Sequence, residues 1–178
     1  MDDIADKLGC SKKTLYVFFE NRKDLVIKEI SNDMKKHELE ISNVIAEKLH
    51  PIEEILSLNV IAINKLKTCH PSFQYDLKKY YPQSWNIFDK KNRQLTYKVS
   101  IQNLKKGIKK GCYRKEINPE IISKIFSEKI DVIFNSLAFE AINVSFSDVY
   151  KELINHHVLG IVNEEGRKYY LNFQKTTK

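Results

Sequence analysis

Chain breakers are scarce in this sequence, and that scarcity limits the fold more than any other feature. The 178 residues contain 5 Gly and 4 Pro. Average usage would put Gly and Pro together at ~12% of a chain of this length. A sandwich or barrel of short strands needs a turn about every ten residues, and so many more of both. Here the breakers stand far apart, and between them apolar residues recur at helical spacing. The spacing predicts an all-α chain. Its hydrophobic share, 42%, is enough to bury a core. No run approaches the roughly 18 apolar residues of a membrane span. The opening, MDDIADKLG, is acidic, unlike a secretory signal. Cys10, Cys69 and Cys112 are odd in number and far apart, which fits reduced thiols rather than a disulfide framework. The expected location is cytoplasmic, away from any membrane.

Local signals place the helices. Residues 2–8 form a short helix with Ile4, Ala5 and Leu8 on one face. Ser11 caps a second that ends at Phe18 or Phe19, and Asn21, with Asp24 three residues on, caps a long one to about Lys48. Residues 51–68 follow, with Ile52, Ile55, Leu56, Val60, Ile63 and Leu66 inward. Pro71 suits the first turn of a helix through Tyr80, and 83–110 reads as one long helix. Asn118-Pro119 opens the next, in which apolar pairs recur from Ile121/Ile122 to Leu137/Ala138. Ser145 or Ser147 starts the last, carrying Val149 through Val162, before an expected turn at Gly166. The apolar faces of these two late helices are wider than the stripe of about 100° that docking on one core requires. Either they are fully internal, or they form a surface for a second copy of the chain, as in a four-helix bundle. The residues expected on such a surface are Ile122, Phe126, Ile133, Val149, Leu153 and His157.

Residues 2–25, DDIADKLGCSKKTLYVFFENRKDL, have the makings of a helix-turn-helix. Ile4, Ala5, Leu8 and Leu15 would pack the two helices together, and Gly9 would allow the tight turn. The second helix would then present Lys12, Lys13 and Thr14 to a DNA major groove. Lysines meet phosphates or guanine edges, and threonine meets a base or a thymine methyl. Arg22 and Lys23 open the following helix, whose amino end favours phosphate.

At Ile4-Ala5, Gly9-Cys10-Ser11, Thr14-Leu15-Tyr16, Phe19, Arg22 and Leu25 the chain resembles the tetracycline-repressor-like (TetR) transcription regulators. Cys10 stands where that family usually has Val, and Arg22 where it usually has Lys. The resemblance implies that Lys12, Lys13, Thr14 and Phe18 face the groove, that Tyr16 and Arg22 hold the phosphate backbone, and that Lys23 assists. It also implies a homodimeric, ligand-responsive repressor of a pseudo-palindromic site on double-stranded DNA, released by a small-molecule effector. Residues 1–30 would be the DNA-binding head and 31–178 the effector-binding and dimerisation part. Members of the family carry a further helix before the helix-turn-helix. Here Met1 directly precedes Asp2, so the head is expected to lack that helix and to be weakened or mobile.

Charge and aromatic content bear on the rest. From Lys78 to Lys115 there are twelve Lys or Arg and one acid, Asp89, whereas residues 1–29 are neutral overall. Such a basic stretch is a solvated helix face, a field that steers the dimer to DNA, or a site for an anionic effector. Phe73, Tyr75, Tyr80, Tyr81, Trp85 and Phe88, with Tyr97 beyond, form the aromatic concentration of the chain. They are candidates for effector contact, since ligand pockets are mostly apolar, although an aromatic cluster is more often core than pocket. No glycine-rich phosphate loop is present, and His37, His50, His70, His156 and His157 lack metal-ligand spacing. An enzyme, a metal site and a cofactor are therefore not expected. The alternative to a regulator is a helical dimer that binds a small molecule or protein and no longer binds DNA.

Overall fold

The computed structural model describes residues 1–68, 72–133 and 144–176. Nine helices lie among the described residues: α1 (Asp2–Leu8), α2 (Lys12–Phe18), α3 (Arg22–Ala46), α4 (Pro51–Thr68), α5 (Phe73–Tyr80), α6 (Pro82–Lys110), α7 (Pro119–Ile133), α8 (Phe146–Ile161) and α9 (Glu164–Thr176). The fold is all-α; an isolated antiparallel bridge pairs Tyr113 with Val162. The helix expected to open at Pro71, and the apolar pairs after Ile133, fall partly or wholly outside the described residues.

Capping chemistry sets four of the helix starts. Ser11 accepts the N–H of Thr14, Asn21 that of Asp24, Asn118 those of Glu120 and Ile121, and Ser145 that of Asp148. Each short polar side chain satisfies an amide that the helix itself leaves unpaired.

The main core joins α4, α6, α7, α8 and α9 through Ile52, Ile55, Leu104, Phe126, Tyr150, Ile154, Val158 and Tyr170. Within it lies a polar knot. Tyr113 is fully buried, and its hydroxyl donates to Asn103 Oδ1 at 2.8 Å, with the Pro51 carbonyl at 3.1 Å. Asn103 Nδ2 donates to that carbonyl and to Glu54 Oε1, each at 2.9 Å, and Lys106 closes the set on Glu54. Buried polar groups this well satisfied fix the register of α4 against α6. Ser123 and Ser127 of α7 are both buried, and α7 packs extensively against α6. A smaller cluster, Ile30, Met34 and Leu77 with Val26, Tyr81, Trp85 and Phe88, binds α3 to α5 and α6.

Three details of α4, α8 and α9 differ from the sequence reading. Val60, expected inward, is exposed; Asn59 takes the inward place and accepts a hydrogen bond from Tyr150 at 2.9 Å. The last long helix stops at Ile161, and Val162 joins the bridge to Tyr113. Gly166 is not a turn. It lies in the first turn of α9, where a Cβ would stand 2.1 Å from the Cys112 carbonyl oxygen. Asn163 caps α9 by accepting the Gly166 N–H and ties it back by donating to the Gly111 carbonyl.

Candidate nucleic-acid interface

Two short helices and a turn build the candidate site. Gly9 adopts φ 64°, a left-handed conformation costly for other residues. The turn then closes with the Cys10 N–H on the Ala5 carbonyl at 3.0 Å. Ala5 and Leu15, 3% and 5% exposed, are the buried apolar residues of this unit. Ile4 and Phe19 are half-buried, and Leu8, expected to pack between the helices, is exposed. Leu8 is the last residue of α1, immediately before the left-handed Gly9.

A joint of mostly polar contacts fixes α2 to α3. Asp24 Oδ2 accepts the Glu20 N–H at 3.0 Å and pairs with Lys28 at 2.9 Å. Lys28 also donates to the Phe18 carbonyl at 3.0 Å and lies over the Phe19 ring. The hydrogen bond from Lys28 is the main reason the Asp24 carboxyl sits below its usual range. The amino end of α3, expected to welcome phosphate, thus carries a carboxylate of its own.

The seven residues named for DNA contact are all exposed on this unit, and their partners differ. Lys13 and Arg22 make no hydrogen bond or ion pair among the described residues. Tyr16 is 47% exposed. Thr14 Oγ1 is 2.8 Å from Ser11 Oγ. Lys12 pairs with Asp2 at 3.0 Å, a contact that raises the lysine and lowers the carboxyl. Phe18 is the last residue of α2. Lys23 Nζ donates to Gln83 Oε1 at 2.8 Å and so links the start of α3 to the start of α6. Lys28 and Gln83 were not singled out by the sequence. The i,i+4 spacing of Asp24 and Lys28 could have found the first, but a contact across sixty residues leaves no local signal.

The aromatic set divides. Tyr81, Trp85 and Phe88 pack in the smaller core beside Leu77, and Phe73 meets Phe88 edge-on at 6.5 Å. Tyr80 is exposed beneath Lys79, and Lys78 lies over Trp85. Tyr97 stands apart, in an open groove of about 690 Å³ between α6 and α7, with Lys90, Arg93, Ile121, Lys124 and Ile125.

Of the residues named for a dimer surface, Ile122, Val149 and Leu153 are partly buried against the main core. Phe126 is buried and stacks on His157 at 4.3 Å. Burial, with Lys129 and His156 nearby, pushes the His157 imidazole down to about 4. The side chain of Ile133 lies outside those described. Among the described residues no three His, Cys, Asp or Glu side chains could share a metal ion, and no helix is long and apolar enough to cross a membrane.

The structure thus presents an all-α body with an exposed helix-turn-helix at its amino end. No family model matches the chain. A stretch of 92 residues is 27% identical to YvaF of Bacillus subtilis, an uncharacterised regulator of helix-turn-helix type. The match covers 50% of this chain and 47% of that protein, so the chain spans about half the length of this curated relative. The ketosteroid transcriptional regulator KstR2 of Mycobacterium tuberculosis shares the fold. Its TM-score is 0.61 over 91% of this chain and 84% of that one, at 16% identity. At that identity the likeness is one of fold, an all-α architecture common to both chains. Both matched proteins are transcription regulators.

Proposed function

We propose that this protein is a DNA-binding transcription regulator that acts as a homodimer on a two-fold site, represses, and is released by a small molecule. The observation that carries the reading is the outer face of α2, where Lys13, Thr14 and Tyr16 stand exposed on the side away from Leu15. A short, capped, basic helix held out from its body fits a major groove, and the likeness to YvaF supports the same use. Lys13 and Thr14 read bases, and Tyr16 and Arg22 hold phosphates, with Lys12, Lys23 and Phe18 at the margin. The head comprises residues 1–30 and the effector and dimer part 31–178. Two copies join through α7 and α8, where Ile121, Ile125 and Leu159 remain exposed beside the partly buried Ile122, Val149 and Leu153. An effector acts through the aromatic set around Trp85, because those residues pack on α3, the helix that leads to the head.

The test is fluorescence anisotropy on DNA from the gene's own upstream region, at low and moderate salt. Specific, salt-sensitive binding is expected, with a slope that falls by about one unit for Arg22→Ala. Equal affinity for unrelated DNA would leave a helical binding module that does not read sequence. Sedimentation equilibrium on the same sample should give twice the chain mass.

A further inference from the structure

Val17 was not among the residues that the sequence singled out, yet it holds a special place on α2. Leu15, 5% exposed, fixes the inward direction of that helix. At about 100° per residue, Lys13 and Val17 each lie roughly 160° from Leu15, on either side of the outward pole. They are four residues apart, so their side chains neighbour one another one turn apart. Val17 is 74% exposed, more than any other large apolar residue described. Phe18 and Leu8 are also exposed, but they differ in position. Phe18 lies only about 60° from Leu15, on the shoulder turned toward the rest of the head, and Leu8 belongs to α1.

We infer that Val17 is a specificity-determining residue, its isopropyl group meeting the C5 methyl of a thymine in the major groove beside the base or phosphate held by Lys13. The inference rests on the DNA-binding reading above. A valine can neither donate to a phosphate nor pair with a base edge. The thymine methyl is the one apolar feature that the major groove offers it. The basic and hydroxyl-bearing neighbours Lys13 and Thr14 bring α2 to DNA, and Val17 then lies on the same outward face, one turn on from Lys13.

The experiment selects preferred sequences from a random double-stranded library with the full chain. Each thymine of the selected site is then replaced by deoxyuridine, which removes the methyl and nothing else. For the unaltered chain one position per half-site should lose affinity by about threefold to fourfold, the effect of one buried methyl. Val17→Ala should bind the thymine and uridine sites equally at that position, keep discrimination elsewhere, and keep the same salt slope, because no phosphate contact is lost. Circular dichroism should confirm an unchanged fold at so exposed a position. Unchanged thymine preference at every position in Val17→Ala overturns the inference, as does a reduced salt slope, which would place Val17 against the backbone. If the library yields no preferred sequence at all, the DNA-binding reading itself fails and takes the inference with it.

Discussion

Around Tyr113 the body is sealed, whereas around Leu15 the head is barely covered. Tyr113 has no exposed surface and two acceptors within reach of its hydroxyl, and side chains from α4, α6, α8 and α9 close over it. Leu15 and Ala5 are the buried apolar residues of α1 and α2, and Leu8, Val17 and Phe18 stay in water. Hydrophobic stabilisation scales with the area removed from water, so the body holds itself together and the head depends on its anchors. Those anchors are largely polar: Lys28 to the Phe18 carbonyl, Asp24 to the Glu20 N–H, and Lys23 to Gln83. A surface that must meet DNA keeps its polar groups and even some apolar ones unspent. The head's low cover and its proposed use therefore have one origin.

The strongest way to break this contrast is Gly166→Ala. A Cβ there would lie 2.1 Å from the Cys112 carbonyl oxygen, and backbone cannot swing aside as a flexible side chain can. Overpacking of this kind costs about 1–3 kcal/mol and sometimes more. Urea denaturation should show a clear fall in midpoint, and an unchanged midpoint would mean that the seat of α9 on the 112–113 turn is not tight. Next in size is Tyr113→Phe, which leaves Asn103 Oδ1 without its donor inside the core. The expected loss is about 1–3 kcal/mol with an unchanged m-value. Leu15→Ala should behave differently. Its cost of about 2 kcal/mol should fall on the head. Amide exchange in α1 and α2 should quicken severalfold while the body's midpoint moves little. If the body melts earlier by the same amount, head and body are one cooperative unit and the comparison fails.

What the sequence made legible follows the same division. Helix starts were readable because a cap is a local event. Ser11, Asn21, Asn118 and Ser145 each accept an amide two or three residues on. The helix-turn-helix was readable for a like reason, since Gly9 and Ser11 set its geometry within a few residues. The interior was harder to read. Val60 is apolar but points to water, because the hydrogen bond from Tyr150, ninety-one residues away, draws Asn59 inward. Gly166 looked like a turn because glycine serves turns and close contacts alike, and the contact that decides lies at Cys112. At the candidate site, the seven named residues are exposed on the head. Val17 and Gln83 were missed on different grounds. The place of Val17 follows from helical spacing once Leu15 is known to be buried, whereas Gln83 meets Lys23 only through the fold.

Acid should separate head from body most finely. His157 is held near 4 by burial, below its ordinary value of 6.5, so the folded chain keeps it neutral where the unfolded chain takes up a proton. Its contribution to stability is whole above pH 6.5 and is lost as pH falls toward 4, with a slope of at most about 1.4 kcal/mol per pH unit for one proton. His37 and His50 are lowered too, chiefly by burial, and act in the same direction. In the head the sign is the same but the window lies lower. Asp2 is held below 3.8 by its hydrogen bond to Lys12, and Asp24 by that to Lys28. What these carboxylates add is present above 3.8 and is lost only in stronger acid, and as exposed pairs they add little. Between pH 6.5 and 4.5 the body should therefore weaken while protection of α1 and α2 relative to it stays level or improves. His157→Phe keeps a ring against Phe126 but removes the proton. Urea midpoints measured for it across that range should fall less steeply than those of the unaltered chain. Parallel curves would show that His157 is not the group that makes the body sensitive to acid.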